Sequence, residues 1–199
     1  SLVIENSRAT GAVTTTETFT AGKTVLATGA GSSLIKIGDA PMPFAVTPVR
    51  GQMICMRTAK RLFERVIYSR RGYIVPRADG RILAGSTTEF AGFTKTVTDD
   101  AVGDLSNMAC EIAPSMDSLP VVDSWSGLRP FASDGLPIIG GLDGVDDLVI
   151  ATAHYRNGIL LAPMTAKITA ELLTGTISDR SLDEYSPNRF RASATGSGS

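Results

Sequence analysis

The sequence predicts a mixed α/β fold (α+β): a two-piece α/β layer with a mainly antiparallel β domain, carrying one helix, inserted into it. Three observations carry this expectation. Two apolar strands, at 25–27 and 148–153, each run into a glycine-containing turn and then a helix, near opposite ends of the chain. Strands lacking polar alternation belong to sheets covered on both faces, so both are expected in one sheet. Between them lie several short strands broken by turn residues, with a single helical repeat among them.

Segments 2–5 (LVIE), 11–16 (GAVTTT) and 19–21 (FTA) read as a β-ribbon whose threonines suit a half-exposed sheet. After the strand at 25–27 come Thr28, Gly29, Ala30 and Gly31, then a short helix expected behind Ser32 and Ser33, residues suited to capping. Further strands are expected at 46–56, 66–69, 72–77 and 81–87, with Ala78-Asp79-Gly80 as a hairpin turn. Asp99 and Asp100 open a helix reaching about Ala113, in which Val102, Leu105, Met108, Ala109 and Ile112 recur at helical spacing; Pro114 stops it. Segment 121–129 reads as a strand with Trp125 in the core. Behind the strand at 148–153 stands a polar knot, His154-Tyr155-Arg156-Asn157-Gly158, and a helix so rich in apolar residues that most of it is expected to be buried. Gly158 is expected to make the sharp turn, with Pro163 near the first helical turn, where a proline costs no hydrogen bond.

Composition narrows the function. At 199 residues the chain can bury a real core. A formal net charge of −1, with 20% of residues charged, points away from nucleic acid and other polyanion partners. One histidine rules out a histidine-rich metal site, and no apolar run has the length of a membrane span. Cys55 and Cys110 lie in apolar surroundings without metal-like spacing, so they read as free thiols in a reducing, cytoplasmic setting. The opening residues, Ser1 to Glu5, look like a cut edge in mid-strand, and the small polar tail ASATGSGS is expected to be disordered.

No acid–base pair, nucleophile elbow or metal motif occurs. The groups that stand out are cationic and phenolic: Tyr73 and Arg77 in GYIVPR, Arg129 in SGLRP and Arg156 in HYRNG. Each lies in or at the end of an apolar strand, where a charge needs a partner. Two arginines and a tyrosine hydroxyl suit a substrate carboxylate; structural salt bridges to Asp123, Asp134 or Glu89 are the alternative. Asp134, before Gly135, reads as a local cap rather than a general base. A strand feeding a helix through a tight turn also presents unpaired N–H groups and a positive dipole, a place for an electron-rich group; an ordinary βα turn is the plainer reading.

Taken in order, TVLATGAGS, TPVRGQM, GYIVPRADGRILAGSTTE, WSGLRPFASDGLPIIG and HYRNGILLAPMT resemble the carboxyl-terminal half of flavin-dependent glycine and D-amino-acid oxidases, in particular glycine oxidases of the thiamine-biosynthesis type. The resemblance runs from about Ala12 to Leu182. It implies a partial Rossmann-like FAD layer (residues 1–42 and 134–185), an antiparallel substrate domain (43–133) and a tail (186–199). It implies that FAD is held by Ala27, Thr28 and Gly29 near its ADP portion. His154, Tyr155, Arg156, Asn157, Gly158, Ile159 and Leu160 would hold it at the helix N-terminus, beside the flavin's C2 carbonyl. Arg129 and Arg156 match the family's substrate arginines and Tyr73 its active-site tyrosine. The implied chemistry is hydride transfer from an amino acid's α-carbon to flavin N5, then imine hydrolysis and peroxide formation. The family's GxGxxG unit does not occur in these residues. A missing amino-terminal half, or self-association in its place, is therefore expected as a partner, and a catalytically silent binding module without FAD is the alternative. GSTTE is polar where an apolar residue would limit substrate size, leaving glycine, sarcosine and D-amino acids all open.

Overall fold

The computed structural model describes residues 1–176 and 182–191. In chain order the elements are β1 (Leu2–Glu5), β2 (Arg8–Val13), β3 (Thr18–Thr20), β4 (Thr24–Leu26), β5 (Thr47–Arg57), β6 (Ile67–Tyr68), β7 (Tyr73–Pro76), β8 (Arg81–Gly85), helix α1 (Asp99–Ile112), β9 (Val121–Phe131), β10 (Ile138–Leu142), β11 (Val145–Thr152) and helix α2 (Gly158–Thr174). The chain forms two units, residues 1–48 with 129–199, and residues 49–128.

In the first unit β4 and β11 are parallel neighbours, with Thr24, Val25 and Leu26 opposite Leu148, Val149 and Ile150. The two apolar strands read from sequence thus share a sheet. The antiparallel ribbon β1–β2–β3 joins it through one parallel bridge, Arg8 to Asp146. Asp147 anchors that junction by pairing with both Arg8 and Lys23. On the other side β10 and β11 form an antiparallel hairpin; β10 lies in a segment to which the sequence reading assigns no strand. Gly11 is required where β2 meets β3, because a Cβ there would sit 1.8 Å from the Phe19 carbonyl oxygen. Leu2, Leu26, Phe44, Ile138, Leu148 and Ile150 form the core of this unit.

Four expectations for this unit need correction. The short helix begins at Gly29 rather than behind the serines; it is a 3-10 turn, Gly29–Leu34, with no side-chain cap. In α2 only Ile168 is buried, whereas Ile159 and Leu160 are 96% and 79% exposed. Apolar density in sequence records the wish to be covered, not what covers it. Pro163 is the sixth residue of α2, beyond the first turn, so the helix forgoes the bond to the Ile159 carbonyl. Part of the expected tail is ordered: Pro187–Phe190 forms a 3-10 turn, and Arg189 donates to Asp134 at 2.7 Å. Residues 192–199 lie outside the described residues.

The second unit is a five-stranded sheet in the order β6-β7-β8-β5-β9. The β7–β8 hairpin turns at Ala78-Asp79-Gly80 as the sequence predicts, with Gly80 at φ +83° and the Asp79 carboxylate accepting from the Arg81 N–H at 3.2 Å. Alternate residues Ile54 and Met56 on β5, Ile82 and Ala84 on β8, and Ile74 on β7 meet Leu105, Met108 and Ala109 of α1. Thr98 caps α1, accepting from the Ala101 N–H, with Asp99 and Asp100 in the first turn. Trp125 is 36% exposed rather than in the core, because β9 is the edge of the sheet.

Ile150 has no exposed surface and packs in the centre of the first core. Ile150→Ala is expected to lower stability by roughly 2–5 kcal/mol, read as a lower urea midpoint at unchanged slope.

Candidate active site

Parallel pairing brings the carboxyl ends of β4 and β11 side by side, each continuing into a turn. In the first turn Gly29 takes φ +55°, and its carbonyl accepts from Ser32 Oγ at 2.7 Å and from Thr152 Oγ1 at 3.1 Å. The Ser32 and Thr152 hydroxyls lie 2.8 Å apart, and Thr28 Oγ1 donates to Ser32 at 3.1 Å. Ser32 and Thr152 are buried, so these bonds satisfy groups that would be costly alone and fasten one turn to the other strand. Ser32 reads from the sequence only as a cap of the short helix, and Thr152 does not stand out. The available signal was Thr152 itself, the polar residue at the inward position after Leu148 and Ile150.

The second turn is not made by glycine. Ala153 and Tyr155 take φ +61° and +49°, a left-handed conformation that side chains disfavour, while Gly158 is simply the first residue of α2. Tertiary contacts hold the turn there: the Tyr155 N–H donates to the Pro130 carbonyl at 2.9 Å, Phe131 bridges His154, and the Tyr155 ring meets the Phe131 ring edge-on at 5.1 Å. His154 Nε2 lies 2.9 Å from Thr165 Oγ1, tying the turn to α2. Burial lowers the His154 pKa, favouring the neutral ring. Asn157 makes no side-chain cap, and Gly158, Ile159 and Leu160 are exposed, so the first N–H groups of α2 face outward.

The antiparallel Phe131–His154 bridge ties the end of β9 to the start of this turn. Arg129, two residues before Phe131 on β9, is half-buried, and Arg156, in the turn before α2, is exposed. Two of the carboxylates named as alternative partners are held by other arginines: Asp134 by Arg189, and Glu89 by Arg50. The Asp123 carboxylate accepts from the Ser124 N–H at 2.8 Å. Asp134 also caps locally, accepting from the Leu136 N–H at 3.1 Å.

In the second unit Tyr73 opens β7; its hydroxyl lies 3.3 Å from Met53 Sδ and 3.5 Å from Ser86 Oγ, and its ring stacks on Tyr68 with centroids 6.2 Å apart. Beyond Ser86, a network fastens the 86–98 connection to β5. Arg50 pairs with Glu89 and donates to the Thr96 carbonyl at 2.9 Å. Gln52 Nε2 donates to Glu89 at 2.9 Å, and Gln52 Oε1 accepts from the Thr98 N–H at 2.8 Å. Thr87 donates to Glu89 and accepts from the Gln52 N–H. The Thr87 hydroxyl of GSTTE, read from sequence as part of a polar pocket wall, is therefore engaged in this network. Burial pushes the Glu89 carboxyl up, but hydrogen bonds from Thr87 and Gln52 and the Arg50 guanidinium outweigh it and leave the pKa below the usual glutamate value.

These features fit a flavin. The uncapped amino end of α2 suits an electron-rich ring edge, and no acidic side chain stands in its first turn to oppose one. An apolar groove of about 670 Å³, lined by Val25, Ala27, Ala151, His154, Gly158 and Ala162 among others, runs between the strand ends and α2. Among the described residues no cluster of metal-ligating side chains occurs, and no helix is long and apolar enough to cross a membrane. Cys55 and Cys110 are free thiols.

Residues 2–172 match the family described as DAO, FAD dependent oxidoreductase. The chain is 40% identical over 172 residues to glycine oxidase of Pseudomonas aeruginosa, covering 86% of this chain and 47% of that protein. It is 36% identical over 198 residues to the bifunctional protein ThiO/ThiG of Trichormus variabilis, covering 98% of this chain and 29% of that protein. The crystal structure of glycine oxidase from Bacillus cereus matches with a TM-score of 0.83 at 31% identity, over 92% of this chain and 51% of that one. The chain thus spans about half the length, or less, of these relatives.

Because the folded Glu89 pKa is depressed, its contribution to stability is present in full above the unfolded value and is lost as pH falls through the folded value. Glu89→Gln is expected to cost roughly 1–3 kcal/mol at neutral pH. Urea titrations of both proteins should converge as the buffer is taken toward about pH 3; a difference that stays constant would contradict the network's ionic character.

Proposed function

Since the chain belongs to the DAO family of FAD-dependent oxidoreductases and is of glycine oxidase type, we propose that it is the carboxyl-terminal portion of an enzyme oxidising glycine or another small D-amino acid or amine. In this reading residues 1–42 and 134–185 hold the cofactor and residues 43–133 form the substrate side. The observation that carries it is the uncapped amino end of α2 beside the apolar groove lined by Val25, Ala27, Ala151 and Gly158.

Arg129 holds the substrate carboxylate with its two-pronged guanidinium, Arg156 adds a second positive charge at the same end, and the Tyr73 hydroxyl helps orient the substrate. Ala27, Thr28 and Gly29 line the adenine-nucleotide side. The backbone from His154 to Leu160 (His154, Tyr155, Arg156, Asn157, Gly158, Ile159, Leu160) offers N–H groups and dipole to the ring's carbonyl edge. Bound FAD supplies the acceptor for a hydride. The chain's own contribution is orientation: with Asp134 engaged by Arg189 and His154 neutral, the substrate's position relative to the ring governs the rate.

Among the described residues the outer edge of β4 has no strand partner. Val25 of β4 and, on α2, Ile159, Leu160 and Met164 are exposed. We assign this face to the preceding half of the enzyme, which would bring the phosphate-binding glycine loop, or to a second copy of the chain in its absence.

The test is made on the chain extended by the amino-terminal half of a glycine oxidase. The purified protein should be yellow and produce peroxide from glycine; a colourless protein supports a silent binding module instead. Arg129→Ala should raise KM for glycine by about 30-fold or more, the equivalent of losing a charge-assisted contact of roughly 2–5 kcal/mol. An unchanged KM removes Arg129 from the carboxylate.

A further inference from the structure

Arg77 was singled out in the sequence, yet the oxidase reading gives it no task. It lies just beyond β7, at the end of the second unit's sheet where β5 finishes and β8 begins. Backbone bonds draw these ends together: the Arg77 N–H donates to the Arg81 carbonyl at 2.8 Å, and the Thr58 N–H to the Gly80 carbonyl at 3.0 Å. Arg57 and Arg81 are direct cross-strand partners. The result is a groove of about 630 Å³ lined by Arg57, Thr58, Arg61, Arg77, Asp79 and Gly80.

The charge in this region is one-sided. From Arg57 to Arg81 the sequence has eight lysines and arginines against two acids, Glu64 and Asp79, although the whole chain is balanced at −1. The balanced total had pointed away from a polyanion partner; it conceals this local excess. Asp79 does not neutralise the groove, because its carboxylate is occupied by Arg81 Nε at 2.8 Å. Arg61 donates only to the carbonyls of Phe63 and Glu64. Among the described residues neither Arg57 nor Arg77 has a side-chain hydrogen bond or ion pair, and both are exposed.

We propose that this groove binds a phosphate-bearing ligand, a phosphate monoester or diphosphate group, separately from the flavin site. Three guanidinium groups from two chain segments repel one another around a concave surface, and an anion placed among them removes that repulsion. Their forked donors match tetrahedral phosphate oxygens, and three of them exceed what a single carboxylate engages. The volume admits more than one phosphate group. The same chemistry is found in free phosphate esters and in lipid head groups, so the experiment separates the two.

The 199-residue chain is titrated calorimetrically with pyrophosphate at low ionic strength, and in parallel sedimented with vesicles of phosphatidylcholine alone or mixed with phosphatidylglycerol. One equivalent of pyrophosphate should bind, more weakly as salt rises. Arg57→Gln/Arg77→Gln should weaken binding at least tenfold with an unchanged circular dichroism spectrum, whereas Arg65→Gln, outside the groove, should change it less than twofold. Co-sedimentation restricted to phosphatidylglycerol vesicles and lost in the double variant identifies a lipid head group as the source; pyrophosphate binding without it identifies a free phosphate ester. Failure to bind either probe, or an equal loss in Arg65→Gln, overturns the proposal. None of these readouts depends on flavin or on oxidase activity.

Discussion

The parallel pairing of β4 with β11 is the constraint on which the candidate site depends. Two short strands from opposite ends of the chain align three residues against three, and their carboxyl ends then lie side by side. The glycine turn after one and the helix after the other consequently open in the same direction, the arrangement by which α/β sheets make room for a ligand at strand ends. A shift of one residue in this register would exchange the inward and outward faces of β11 and separate Thr152 from Ser32 and Gly29.

Strain at the second turn follows from what surrounds it. Ala153 and Tyr155 adopt a backbone conformation that neither prefers, and the compensation comes from the end of β9: a backbone bond to Pro130, a bridge to Phe131, and edge-on packing of two aromatic rings. Those contacts tie the end of β9, which carries Arg129, to the turn that carries Arg156.

The second unit shows a different economy. Its sheet and α1 enclose an ordinary apolar core, while the connection after β8 is held by a polar network around Glu89. A loop of this length without secondary structure gains its order from such bonds, and every strong acceptor in the network is met by at least one donor. The cationic groove at the far end of the hairpin has no comparable internal compensation, which sets it apart from the arginines that only stabilise the fold.

Local patterning was legible in the sequence because it rests on nearest-neighbour physics. The α1 repeat opened by Asp99 and Asp100, the Ala78-Asp79-Gly80 turn, the strands β5, β7 and β8, and the fold class all follow from side-chain period and backbone preference. The ordered motifs carried the family as well. Long-range geometry was not legible: that β10 is a strand, that Trp125 sits on an edge, that alanine and tyrosine rather than Gly158 make the turn, and that α2 is largely uncovered. Each of these is decided by which distant segment supplies a hydrogen bond or a surface, and a one-dimensional pattern does not contain that partner. The sequence by itself determined which residues seek burial and which carry charge; tertiary structure decided which of them found a partner.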